Sequence, residues 1–175
     1  AQPLRIWSAA CATGEEPCSL AIALQEAGWG AHPIQIMASD ASEAALEKAR
    51  AGIYRERSFR SLPLELRAKY FDPPTAEGSR VRRERLLPIS FQRANLVVPE
   101  EIAGLAAAPV VFCRNVFIYF SPDSIRQTVA AFAARMPAGG HLFVGASESL
   151  LKLTTDFEMR EVGEAFVYVR NSQPA

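Results

Sequence analysis

Two adjacent carboxylates, Glu15 and Glu16, follow a turn of small residues, Ser8-Ala9-Ala10-Cys11-Ala12-Thr13-Gly14. An apolar run, Leu4 to Ala10, leads into that turn, and a helical pattern from about Pro17 to Ala27 leaves it. Strand, tight turn and helix N-terminus is the arrangement with which an α/β sheet holds a nucleotide-like ligand. The turn is not a phosphate loop. It carries neither G-x-x-x-x-G-K-[ST] nor G-x-G-x-x-G, and two carboxylates would repel a phosphate. They suit a ligand with a cationic end, of which S-adenosylmethionine, bearing an ammonium and a sulfonium, is one. For Glu16 two readings stand side by side: a partner for a ligand amino group, or a carboxylate favoured by the helix dipole at about 0.3–1 kcal/mol.

Two further places could carry chemistry. Asp40 closes a second apolar run, Ile34 to Ser39, at the position where dinucleotide folds place an acid on ribose hydroxyls. The competing role is a cap on the following helix, which Ser42 could fill unaided. Phe112-Cys113-Arg114-Asn115-Val116-Phe117-Ile118-Tyr119-Phe120 begins as a strand and passes Arg114 and Asn115 at its carboxyl end, where such sheets bind ligands. Tyr119 is either a cleft residue or a core tyrosine with its hydroxyl at the rim.

The elements that position these residues follow from periodicity. Ser42 caps a helix that ends before Gly52, and Pro63 starts a short helix over Leu64 to Tyr70. Asp72 to Ser79 is a loop by its turn residues. Val81, Ile89 and Phe91 read as a small antiparallel ribbon inserted over about 72–94, and Glu100 to Ala107 as a helix. Pro109 to Cys113 is a central parallel strand. Ser121 opens a long helix to about Met136, His141 to Val144 is the next strand, and two strands close the chain around Gly163. Residues 171–175 are expected to be disordered. The fold class is therefore α/β: a doubly wound, mostly parallel sheet with a C-terminal antiparallel hairpin and a small inserted antiparallel β-subdomain.

Composition narrows the function further. The 175 residues suit one domain, and 19 basic residues balance 19 acidic ones, so nothing points to nucleic acid or an anionic membrane. Cys11, Cys18 and Cys113 show no C-x-x-C spacing and His32 and His141 lie far apart, which argues against a metal site and a disulfide framework and for a reducing, cytoplasmic setting. No apolar run reaches the roughly 18 residues that a membrane span needs. The basic run Arg80 to Arg85 either steers an acidic partner or is the solvated face of an edge strand.

Taken together, SAACATGEEPCS at Ser8 to Ser19, ASD at Ala38 to Asp40, AGIY at Ala51 to Tyr54, ANL at Ala94 to Leu96, FCRNVFIYF and GASES at Gly145 to Ser149 resemble the chemotaxis receptor glutamate methyltransferases, the CheR type. The resemblance runs the length of the chain, residues 1–170, and covers the family's catalytic, Rossmann-like class I methyltransferase domain. The family's small N-terminal helical domain is not in this sequence. The resemblance implies S-adenosylmethionine as cofactor and S-adenosylhomocysteine as product. It implies that Glu16 holds the methionine amino group, that Asp40 holds the ribose, and that Asn95 and Leu96 flank the adenine. Arg114 and Asn115 would line the methionine end, and Tyr119, the catalytic candidate, would stand beside the methyl group.

The protein substrate implied is the cytoplasmic helices of chemoreceptors, methylated as glutamate esters by a monomeric enzyme. In some members the inserted ribbon grips a tether peptide on the receptor. Cys18 stands where the family usually has tyrosine and Ala146 where it often has histidine, and the Asp72–Ser79 loop is shorter than in tether-binding members. The alternative is a regulatory module that binds the cofactor or its product and docks to a signalling partner with little turnover. A nicotinamide oxidoreductase of similar topology is disfavoured by the missing glycine fingerprint.

Overall fold

The computed structural model describes residues 2–172. Strands β1 (Leu4–Ala9), β2 (Ile34–Asp40), β5 (Ile89–Arg93), β6 (Val110–Cys113), β7 (His141–Val144), β8 (Phe157–Val162) and β9 (Ala165–Arg170) form one seven-stranded sheet in the order β5-β2-β1-β6-β7-β9-β8. The pairs from β5 to β7 are parallel, and β9 and β8 complete the sheet antiparallel. The doubly wound, mostly parallel sheet and the C-terminal hairpin are as the sequence implies.

Helices cover both faces. On one, Ile6, Ile34 and Ile36 pack with Ala21 of α1 (Glu15–Glu26), and Ala38 packs with Leu46 of α2 (Glu43–Ala51). On the other, Trp7, Val111 and Leu142 pack with Ile102 of α4 (Pro99–Ile102) and with Val129 and Phe132 of α5 (Pro122–Arg135). Trp7 is wholly buried, and its indole N–H donates to Ser39 Oγ at 3.0 Å, which satisfies the one polar group the ring brings into the core. Ser42 and Ser121 cap α2 and α5 as their sequences require, each accepting a backbone N–H through its hydroxyl.

Three elements depart from the sequence reading. Helix α1 starts at Glu15 rather than Pro17, because Gly14 adopts a left-handed N-cap conformation (φ 90°). Pro17 remains in the first turn, where no intrahelical N–H bond is required. The helix expected over Glu100 to Ala107 ends at Ile102 and continues as turns. Gly104 is a poor helix former, and its carbonyl is taken by Arg5 Nη2 at 2.6 Å.

The third departure concerns the insert. Ile89 and Phe91 do not belong to an inserted ribbon; they lie in β5, paired parallel with β2 at the edge of the main sheet. The small antiparallel sheet is instead β3 (Ile53–Tyr54) with β4 (Ser79–Arg80), extended by a bridge between Phe71 and Val81. Together with α3 (Leu64–Tyr70) it encloses its own cluster, in which Tyr54, Phe59, Tyr70, Phe71 and Val81 pack against Cys18 and Ile22 of α1. Asn171, expected to be disordered, is held by its backbone N–H on Asp156 O at 2.9 Å and its side chain on Thr155 O at 2.7 Å. Residues 173–175 of that expected tail lie outside the described residues.

Candidate active site

The carboxyl ends of β1, β2, β5, β6 and β7 meet at one edge of the sheet, and the chain winds outward in opposite senses on either side of the β1–β6 pair. That is the topological switch point at which such sheets bind ligands. The loop leaving β1 is wound tightly there: Ala10, Ala12 and Gly14 all have positive φ (56°, 48° and 90°). For alanine this conformation costs about 1–3 kcal/mol and persists only where the surroundings impose it. Here Cys11 N–H donates to Ser39 O at 2.8 Å, Ala12 N–H to Asp40 Oδ2 at 2.9 Å and Gly14 N–H to Cys11 O at 2.9 Å. Behind the loop, Tyr54 Oη donates to Thr13 O at 3.2 Å and lies 3.4 Å from Cys18 Sγ. Burial, and next the Asp40 charge, push the Cys11 thiol up to about 12, so it stays a protonated packing group.

Asp40 serves the loop and the next helix together. Its Oδ2 takes Ala12 N–H, and its Oδ1 takes Ser42 N–H at 2.9 Å. A carboxylate offers about four acceptor sites, so each oxygen keeps capacity for a ligand hydroxyl. Ser42, not Asp40, caps α2; Asp40 orders the backbone just before that helix and keeps acceptor capacity for a ligand.

Glu15 and Glu16 separate. Glu15 turns toward the subdomain, taking Thr13 Oγ1 at 2.6 Å and Ser58 Oγ at 3.2 Å. Glu16 is mostly buried, and its Oε1 accepts from the buried Ser8 hydroxyl at 2.7 Å. Its Oε2 has no donor among the described residues; the nearest cation is Arg114 Nη1 at 3.9 Å. Burial raises the Glu16 carboxyl above its usual range and the neighbouring Glu148 charge adds to this, while the Ser8 hydrogen bond and Arg114 oppose it. A desolvated carboxylate with an unfilled acceptor fits a donor that carries positive charge.

Asn95 and Leu96 follow β5, beside Asp40, whose carbonyl accepts Ala94 N–H at 3.0 Å. Asn95 Oδ1 closes a local turn on Val97 N–H at 3.2 Å, and Asn95 N–H donates to Glu101 Oε2 at 2.8 Å. The Leu96 side chain lies in the core cluster with Ile102 and Leu105. Arg114 and Asn115 leave the end of β6, Asn115 with φ 59°. Tyr119 ends a 3₁₀ turn, Phe117–Tyr119, and is 81% exposed, which rules out the core-tyrosine reading.

Sequence reasoning missed Glu148 as an individual residue, although it lies within the GASES stretch. Its carboxylate accepts backbone N–H groups from Gly145 and Asn115 at 2.6 and 2.8 Å, and from Ile118 at 3.3 Å.

Comparisons with known proteins show the family and the fold. A family profile described as CheR methyltransferase, SAM binding domain, matches residues 1–166. The chain is 37% identical over 172 residues to chemotaxis protein methyltransferase 1 of Vibrio cholerae, covering 95% of this chain and 62% of that protein. It is 40% identical over 161 residues to the chemotaxis protein methyltransferase of Klebsiella aerogenes, covering 89% of this chain and 54% of that protein. The chain thus spans between half and two thirds of the length of these relatives. Among solved structures, a TehB-like SAM-dependent methyltransferase from Corynebacterium glutamicum superposes with a TM-score of 0.53 at 11% identity, covering 97% of this chain and 79% of that one, a likeness of fold.

Proposed function

The chain belongs to the CheR methyltransferase family, and on that premise we propose that it is the S-adenosylmethionine-binding domain of a chemosensory enzyme that methylates protein glutamates. The single observation that carries this reading is Glu16: a mostly buried carboxylate in the first turn of α1, with one oxygen on Ser8 and no donor on the other among the described residues. Such a group suits an ammonium and would oppose a phosphate. When bound, S-adenosylmethionine supplies an electrophilic methyl group on a sulfonium. Glu16 then holds the amino group, and Asp40 takes ribose hydroxyls on the free lone pairs of both oxygens. Asn95 and Leu96 border the adenine, and Arg114 and Asn115 the methionine end.

The acceptor, a glutamate carboxylate, is already an anion at neutral pH and needs no general base. What the protein supplies is alignment and exclusion of water, and alignment can lower a barrier by about 7–11 kcal/mol. Tyr119 is the catalytic candidate: its exposed hydroxyl positions the acceptor carboxylate beside the methyl group. The substrates in this reading are cytoplasmic helices of chemoreceptors, met by a monomeric, cytoplasmic enzyme. No helix among the described residues is long and apolar enough to cross a membrane.

The test uses the full-length protein, S-adenosylmethionine labelled on its methyl group, and a chemoreceptor cytoplasmic fragment. Label should enter the fragment and leave it as methanol in mild alkali, as an ester requires, and a fragment with its acceptor glutamates changed to alanine should stay unlabelled. Absence of alkali-labile label, with cofactor binding intact, would refute glutamate esterification and leave the binding-module alternative.

A further inference from the structure

We infer that Glu148 is the positioning residue of this site, a carboxylate clasp that sets where the Arg114–Tyr119 segment stands. The inference rests on the methyltransferase reading for its kinetic part only. Glu148 follows β7, and its Oε2 accepts Gly145 N–H at 2.6 Å and Asn115 N–H at 2.8 Å, while Oε1 accepts Ile118 N–H at 3.3 Å. One side chain thereby joins the loops leaving two neighbouring strands. Hydrogen bonds from backbone amides to a carboxylate are charge-assisted and strong.

The segment needs such a hold. Its internal backbone bonds include Tyr119 N–H on Val116 O at 3.0 Å and Phe120 N–H on Phe117 O at 3.0 Å. Phe117 anchors it from the core side, but Ile118 and Tyr119 are 55% and 81% exposed. Packing therefore cannot fix the tyrosine, and the backbone must. Asn115 stands at φ 59°, a left-handed conformation that asparagine adopts more readily than other non-glycine residues, and its N–H is turned onto Glu148 there. The junction is tight: a Cβ at Gly145 would come within 2.7 Å of Glu148 Oε2 and 3.0 Å of Asn115 Nδ2.

Glu148→Gln separates positioning from folding. Its carbonyl oxygen can still take the Asn115 and Gly145 N–H groups, but its amide then faces Ile118 N–H, so the tether nearest Tyr119 is lost. In the full-length protein the variant should bind S-adenosylhomocysteine within about threefold of wild type and turn over about tenfold more slowly at saturating receptor fragment, because small misplacements of a positioning group are costly. Amide hydrogen exchange at Ile118 and Tyr119 should accelerate. Tyr119→Phe should slow the wild type, and it should add less than about twofold in the Glu148→Gln background, as residues acting as one unit are non-additive.

Turnover of Glu148→Gln equal to wild type, or a full additional effect of Tyr119→Phe, would overturn the inference. If the wild type itself transfers no methyl group, the methyltransferase reading fails separately. The clasp is then judged by exchange alone: faster exchange at Ile118 supports it, and unchanged protection overturns it.

Discussion

Ser8 Oγ donates to Glu16 Oε1 at 2.7 Å, from a wholly buried position on β1 to the first turn of α1. This is the only hydrogen bond that the Glu16 carboxylate receives among the described residues, so the folded chain keeps a partly satisfied carboxylate where β1 gives way to α1. Glu16→Gln keeps an acceptor for Ser8 and removes the buried charge. It should leave the melting temperature unchanged or raise it at neutral pH, and should weaken S-adenosylhomocysteine by about tenfold or more, the value of a charged hydrogen bond. Methylthioadenosine, which lacks the amino group, should lose little. Thermal melts and calorimetric titrations of both ligands check this; equal losses would return Glu16 to a helix-dipole role.

The pH dependence has a definite sign. Burial raises the folded-state pKa of Glu16, with Glu148 adding and Ser8 and Arg114 opposing. Between the unfolded and the raised folded value the native state binds more protons than the unfolded state, so this group's contribution to stability falls as pH rises through that window. Affinity for amino-bearing ligands should move the other way, rising as Glu16 ionises, while methylthioadenosine affinity stays flat. Titrations across this window, with Glu16→Gln as control, should show the slope in the wild type and its loss in the variant.

Gly14 should tolerate no side chain. Its φ is +90°, and a Cβ there would approach Ala49 Cβ to 2.9 Å and Tyr54 Oη to 3.0 Å. Gly28 has a similar φ of +82°, with nothing within 4 Å of such a Cβ. Gly28→Ala therefore carries only the backbone cost, about 1–3 kcal/mol. Gly14→Ala adds the clash and should melt lower than Gly28→Ala, by roughly 5 °C at about 2–4 °C per kcal/mol for a chain of this size. Equal melting temperatures would mean that the loop yields to the added methyl.

Much of the fold is legible in the chain because its cues are local. The runs Ile34 to Asp40 and Val110 to Cys113 are apolar enough to be central strands, and Ser42, Gly52, Ser121 and Pro122 punctuate the helices where their chemistry requires. Ile89 to Arg93 was harder, since Ile-Ser-Phe-Gln-Arg has the same alternation whether it pairs in a ribbon or at the edge of a main sheet. Strands β3 and β4 hold two residues each, too few for any period to show. At the site, Asp40 was marked by the strand it closes. Glu148 was not, because its main partners are backbone amides, two of them 30 and 33 residues away in sequence, and no residue type signals such a contact.

The most direct measurement is the binding of S-adenosylhomocysteine to this chain and to its Asp40→Ala variant, by calorimetry, with a thermal melt confirming that the variant is folded. Asp40 stands where β2 ends, with one backbone N–H on each oxygen and acceptor capacity to spare. Loss of two ribose hydrogen bonds to a charged acceptor is worth on the order of 3 kcal/mol, so the expected result is one-to-one binding by the wild type and an affinity about 100-fold lower in the variant. A folded variant that binds as tightly as the wild type, or a wild-type chain that does not bind at all, would contradict the assignment of this cleft to the cofactor.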